Sequence, residues 1–140
     1  MSFYRRRKRK PKAVQVEAFQ RYRDVVKRAD KLWSMLVLSR GMCQRCRVKP
    51  AVHPHHLVSR RYHATRWDLV NGAALCAGCH HLVTIDSHEN GLLALSLVGS
   101  ALWEWLNVAK RELKTDPSLA LVAMEAEAKR LVLKKEAKRG

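Results

Sequence analysis

Four cysteines form two Cys-x-x-Cys pairs, Cys43/Cys46 and Cys76/Cys79; His55-His56 and Asn71 lie between the pairs and His80 follows the second. A Cys-x-x-Cys turn places two sulfurs on one side of an ion, and a second turn completes the tetrahedral shell that zinc prefers. All four cysteines of the chain are used. The alternative is four buried, unliganded thiols, and two regular knuckles in a hydrophilic stretch argue against it. A closed four-sulfur site is structural because it leaves no open position for substrate. Any catalysis must then come from other residues. A histidine titrating near neutrality is a suitable base for activating water on a phosphodiester. A divalent ion with open positions would relieve the charge that develops on the phosphate.

Each of these residues also has a plain reading. His55 or His56 could replace a cysteine at the zinc, Asn71 before Gly72 is a natural turn pair, and His53 and His63 are read as structural or exposed. It is the joint spacing inside a metal clamp that favours a site. Arg60, Arg61 and Arg66 fall between the histidine pair and Asn71. They suit bidentate contact with phosphate, or else they are surface residues near acids, with Asp68 a partner for Arg66.

The elements that position these residues are partly legible. Residues 13–41 read as a helix, with Phe19, Tyr22, Val26, Ala29, Trp33 and Leu36 on one face and Gly41 as its stop. Residues 42–90 hold the motif region, with short strand-like pieces at 51–58 and 73–75. Residues 91–140 read as two helices. The first, 91–114, carries the stripe Leu95, Val98, Leu102, Trp105 and Ala109, with Trp103 off it. The second, 116–138, has Asp116 as N-cap, Pro117 in its first turn, and Leu121, Met124, Ala128 and Leu131 on its apolar face. The fold class expected is α+β, a small zinc-stapled core flanked by long helices.

Charge sets the partner. The chain of 140 residues has 28 basic and 12 acidic side chains, a formal net charge of +16. That points to a polyanion, nucleic acid before an acidic membrane surface. Residues 1–12 form a tail containing Arg5, Arg6, Arg7, Lys8, Arg9 and Lys10 without an acid. Such a run repels itself and is expected to be disordered until it meets phosphate. No signal peptide and no apolar run of the roughly 20 residues a membrane helix needs is read from the sequence. A cytoplasmic setting is expected, the host cytoplasm if the chain is phage-encoded, with no membrane partner.

Between His53 and His81 the sequence resembles the HNH endonucleases, the ββα-metal or His-Me finger family. That family ends a strand in a paired Asp/His-His, places an Asn in the connecting loop, and has a metal-binding His or Asn at the start of the next helix. Here the intervals are 15 residues from His56 to Asn71 and 9 from Asn71 to His80. The segment Arg66-Trp67-Asp68-Leu69-Val70-Asn71 is similar to that of phage-type members, NinG-like recombination nucleases and small packaging-associated nucleases. The resemblance covers about residues 43–84 and not the tails. It implies a ββα-metal core, His55 and His80 as ligands of one catalytic divalent ion (Mg²⁺ or Mn²⁺), His56 as general base, and Asn71 as the pin of the loop that holds His56. Thr84 stands where some members have a third histidine, with His81 and His88 as substitutes. It further implies DNA as substrate, branched or recombination-intermediate DNA in particular, and a homodimer or a phage protein as partner. The rival reading is a non-catalytic zinc-binding module on nucleic acid, or a packaging accessory factor.

Overall fold

The computed structural model of the chain describes residues 13–112 and 115–139; the basic tail from Arg5 to Lys10 lies outside them. The architecture is α+β. In chain order it runs α1 (Ala13–Leu38), β1 (His53–His56), a 3-10 turn (Leu69–Asn71), β2 (Gly72–Leu75), α2 (Ala77–Ile85), α3 (Ser87–Glu112) and α4 (Pro117–Ala137). The two strands pair antiparallel, with His53 opposite Leu75 and His56 opposite Gly72.

Helix α1 stops where Gly41 takes a left-handed φ of +84° and returns its N–H to the Leu38 carbonyl, a conformation without cost for glycine. Ala29, Trp33, Leu36 and Val37 are buried, but Phe19 and Tyr22 are exposed. The apolar stripe therefore serves the core only over its C-terminal half. That half packs against α4, where Leu121 and Met124 are buried and Ala128 and Leu131 pack alongside. Asp116 caps α4 by accepting from the Ser118 N–H, with Pro117 in the first turn.

A second core lies under the sheet. It joins Cys43, Leu57, Ala73, Leu75, Cys76, Cys79, Val83, Leu93 and Ala94. Helix α2 is an element that the periodicity did not separate, and α3 begins at Ser87, ahead of the expected 91. Gly99 breaks α3 with φ +78° and ψ 168°. The stripe expected for this helix is used only in part: Ala109 is buried and Val98 packs on the core. Leu93, Ala94, Leu106 and Ala109 are buried while Leu95 and Trp105 are exposed, and Trp103 packs on the core. Over Ser87–Arg111 the helix is also long and apolar enough to cross a membrane by length and composition, with mean hydropathy 1.4. The sequence reading had found no such stretch. Leu93 and Ala94 show part of that apolar surface in use as core.

Candidate functional site

The cysteine clamp assembles as its spacing predicts. The Cys43, Cys46, Cys76 and Cys79 sulfurs all lie within 4.8 Å of one another, and no disulfide links them. Cys46 Sγ and Cys76 Sγ are 4.0 Å apart. That is far beyond the roughly 2.05 Å of a disulfide. It is close to the edge of about 3.8 Å that a tetrahedron of Zn–S bonds of about 2.3 Å would have. Burial works to raise the Cys43 thiol, but backbone groups of Cys76, Cys46 and Arg45 outweigh it and hold the pKa at about 6. Burial pushes Cys79 up to about 12. Four sulfurs this close cannot all ionise unless a cation neutralises them, which is what a divalent ion supplies.

The clamp is tied to the sheet. Gln44 donates its N–H to the Ala74 carbonyl, and its side-chain oxygen accepts from the Ala74 N–H. Cys76 is the N-cap of α2 and Cys79 lies in its first turn. The clamp therefore fixes where α2 starts, and with it His80, whose N–H bonds to the Cys76 carbonyl.

Alternation along β1 sends His53 and His55 to one face and His56 to the other. His55 and His80 meet edge to face with ring centroids 5.4 Å apart, and His53 stacks on His80 at 5.0 Å. Asn90, on α3, donates to the Leu57 carbonyl, which leaves its side-chain oxygen facing His55 Nε2 at 2.9 Å. An acceptor there requires the Nε2–H tautomer, so His55 presents the Nδ1 lone pair. Burial lowers the pKa of both His55 and His80, so both favour the neutral, ligating form.

His56 stacks on Trp33, with centroids 3.7 Å apart and planes 11° from parallel. Its Nε2 lies 2.9 Å from the Arg66 carbonyl oxygen. A carbonyl only accepts, so the proton sits on Nε2 and Nδ1 is free. Burial holds the His56 pKa at about 4, below the near-neutral value expected from the sequence, so the ring is neutral at pH 7 and a weaker base than an ordinary histidine. Asn71 is fully buried. Its side-chain oxygen accepts from the Val58 N–H at 2.7 Å, and its amide donates to the carbonyls of Val58 and Thr65, each at 2.9 Å. The loop carrying the Arg66 carbonyl is thereby fastened one residue away from the atom that orients His56.

His55, His56, Arg60, His80, Thr84 and Asn90 line one cleft of about 770 Å³. Among the described residues, no carboxylate lines it. Two neutral imidazoles would suit Mn²⁺ or a later transition ion better than Mg²⁺, which prefers oxygen ligands. His81 and His88 are exposed and do not line this cleft, and Thr84 spends its hydroxyl on the His80 carbonyl.

The three loop arginines separate. Arg60 faces the cleft and Arg61 packs over the Tyr62 ring. Arg66 is bound by Asp30, not Asp68: Nε to Oδ1 at 2.8 Å and Nη2 to Oδ2 at 2.6 Å, with Trp67 Nε1 donating to the same carboxylate at 2.9 Å. Its fork is already occupied, and its place is structural. Three contributors were missed in the sequence. Asn90 sits in an apolar helix with no signal of its own, Asp30 is one acid on a basic face, and Trp33 reads simply as core.

No protein-family model matches the chain, no curated protein matches it, and no solved structure matches it.

Proposed function

We infer that the chain is a metal-dependent endonuclease of the HNH type that hydrolyses DNA phosphodiester bonds. The observation that carries this reading is His56: a neutral ring whose Nε2–H is committed to the Arg66 carbonyl, with a free Nδ1, in the same cleft as His55 and His80. A base needs its tautomer fixed and its lone pair available, and this hydrogen bond does both. His56 Nδ1 would take the proton of the attacking water. Asn71 would keep the Arg66 carbonyl in place, and Arg60 would hold the phosphate. His55 and His80 would bind the divalent ion, which supplies charge relief to the phosphate when present. Phosphate contacts position a strand without reading its sequence, so recognition through backbone or branch shape is expected. The net charge of +16 supports a polyanionic substrate.

The test is cleavage of supercoiled plasmid and of a synthetic four-way junction with Mn²⁺, with Mg²⁺, and with no added divalent ion. Cleavage is expected with Mn²⁺ above Mg²⁺, and His56→Ala is expected to bind DNA without cutting it. Zinc content and thermal midpoint establish that the variant is folded. Binding without cleavage by the wild type under every metal would overturn this reading in favour of a zinc-binding module on nucleic acid, and undiminished cleavage by folded His56→Ala would overturn the assignment of His56 as the base.

A further inference from the structure

Across the Ser59–Arg66 loop from the histidine cleft lies a second concavity of about 410 Å³. Tyr22, Arg61, Tyr62, His63, Lys110 and Thr115 line it. Two cations share the Tyr62 ring: the Arg61 guanidinium 4.9 Å and the Lys110 ammonium 5.5 Å from its centroid. Arg61 also donates to the Tyr62 hydroxyl at 3.0 Å. This hydrogen bond first, and then the Arg61 charge, pull the Tyr62 phenol below its ordinary value, with Lys110 and Arg111 adding to the effect. Among the described residues, the four ion pairs belong to Arg28, Arg45, Arg66 and Arg130; Arg61 and Lys110 form none. Cations in the last turn of α3 complement the helix dipole, which accounts for Lys110 but not for Arg61, which comes from a separate loop. Two like charges gathered on one ring with no ion-pair partner among the described residues repel each other, and an anion between them would reverse the sign of that interaction.

We propose that this pocket is a phosphate subsite that holds one backbone phosphate of a bound nucleic-acid strand between Arg61 and Lys110. Lys110 gives one N–H to Asn107 at 2.8 Å and keeps two for a ligand. The Tyr62 hydroxyl, already accepting from Arg61, has its own proton to give. Thr115 donates to the Ala64 carbonyl at 3.0 Å and fastens the wall of the pocket to the loop. Arg60 lines the histidine cleft and Arg61, the next residue, lines this pocket. A strand whose scissile phosphate lies in the cleft can therefore cross the loop and rest a neighbouring phosphate here. The site rests on the proposed function only for the identity of the polymer.

The test is fluorescence anisotropy of a labelled short DNA duplex against salt concentration, with no added divalent ion. The proteins are wild type, Arg61→Ala/Lys110→Ala, Tyr62→Phe, and Lys129→Ala as an exposed control on α4. One lost phosphate contact should lower the salt slope by about 0.9. The double variant is expected to show that drop with binding weaker on the order of tenfold, Tyr62→Phe a smaller weakening, and Lys129→Ala a smaller change in both than the double variant. Zinc content and thermal midpoint identify the folded variants, and Lys110→Gln replaces Lys110→Ala if the double variant is unstable. Wild-type slope and affinity in the folded double variant would overturn the site. A wild type that binds but never cleaves would instead sink the endonuclease reading and leave this site standing.

Discussion

Asn71→Asp changes one atom of a fully buried side chain and should be among the most damaging substitutions in the chain. In the native protein the Asn71 amide donates to two carbonyls, Val58 and Thr65, at 2.9 Å each. An aspartate puts an oxygen at that place. It can ionise and face two carbonyl oxygens, or stay protonated and satisfy one of them. Holding a carboxyl of ordinary pKa about 3.9 in its acid form at pH 7 costs about 4 kcal/mol. The carbonyl left without a donor adds about 1–3 kcal/mol. The sum, about 5 kcal/mol or more, rivals the whole stability of a small domain, about 5–15 kcal/mol. Asn71→Ala loses all three bonds, including the one from the Val58 N–H, at a cost of roughly 3 kcal/mol or more. The two variants part in their pH dependence. The folded pKa of Asp at this position is raised, so its relative stability is full below the unfolded value and falls as pH rises towards the folded one. Urea unfolding followed by tryptophan fluorescence on zinc-loaded protein, from about pH 5.5 to about pH 7.5, should show Asn71→Asp losing about 2.7 kcal/mol relative to wild type. Asn71→Ala should stay level against the same reference. An Asn71→Asp deficit equal to that of Asn71→Ala and flat in pH would mean that the amide does not face those carbonyls, and the account of how His56 is oriented would fall with it.

Zinc removal should unfold the motif region rather than loosen it, since Cys43, Cys76 and Cys79 are themselves core residues; chelator titration followed by circular dichroism should show one zinc released per chain together with loss of structure, and an unchanged melting midpoint after release would contradict this. Asp30→Asn should cost about 1–3 kcal/mol through loss of the carboxylate charge and of the Oδ2 that accepts from Arg66 Nη2. Burial works to raise the Asp30 pKa, but the Arg66 and Trp67 hydrogen bonds and the Arg66 charge outweigh it and hold the carboxyl below its usual value. Its contribution is therefore present above the unfolded pKa and lost as pH falls through the folded one; acid titration of stability should flatten in that range in Asp30→Asn, and an unaltered profile would refute the assignment. Gly72→Ala would set a Cβ 2.5 Å from Val37 Cγ2 and 2.9 Å from Trp33 Cζ2. Both neighbours are buried, so about 1–3 kcal/mol of overpacking strain is expected by thermal unfolding, and a variant as stable as wild type would show that this corner is loosely packed.

What the sequence made legible divides by the range of the interaction. The cysteine pairs are local signals, because a Cys-x-x-Cys turn forms its half-site from four consecutive residues, and two halves need only meet. The capping of α4 by Asp116 and Pro117 is local in the same way, as is the arrest of α1 at Gly41. The faces of the long helices were harder to read. Phe19 and Tyr22 continue the stripe of α1 past the point where α4 covers it, and Gly99 breaks the phase of α3, so a periodicity carried across it finds Ala109 but also names the exposed Trp105. Partners distant in sequence left no trace: Asp30 finds Arg66 across 36 residues, and Asn90 finds His55 across 35. An acid on a basic helix and an asparagine in an apolar one look incidental until the fold brings them to their partners.

The histidine cleft rests on two supports, and the cysteine clamp is one of them. Cys76 caps α2, Cys79 lies in its first turn, and His80 is the next residue, so a metal held by the four sulfurs would also fix the position of His80. From the other side, Gln44 in the first knuckle bonds both backbone groups of Ala74, whose strand pairs with the strand carrying His55 and His56. The second wall is independent of zinc. It consists of Trp33 under the His56 ring, Asn71 on the loop, and the Asp30–Arg66 pair that holds the carbonyl segment down on α1. The two histidines of one strand thus answer to different supports: His55 and His80 to the clamp and Asn90, His56 to the helix and the loop. Damage to the first support should misplace His55 and His80 and spare the tautomer of His56. Damage to the second should free that ring while His55 and His80 stay in register.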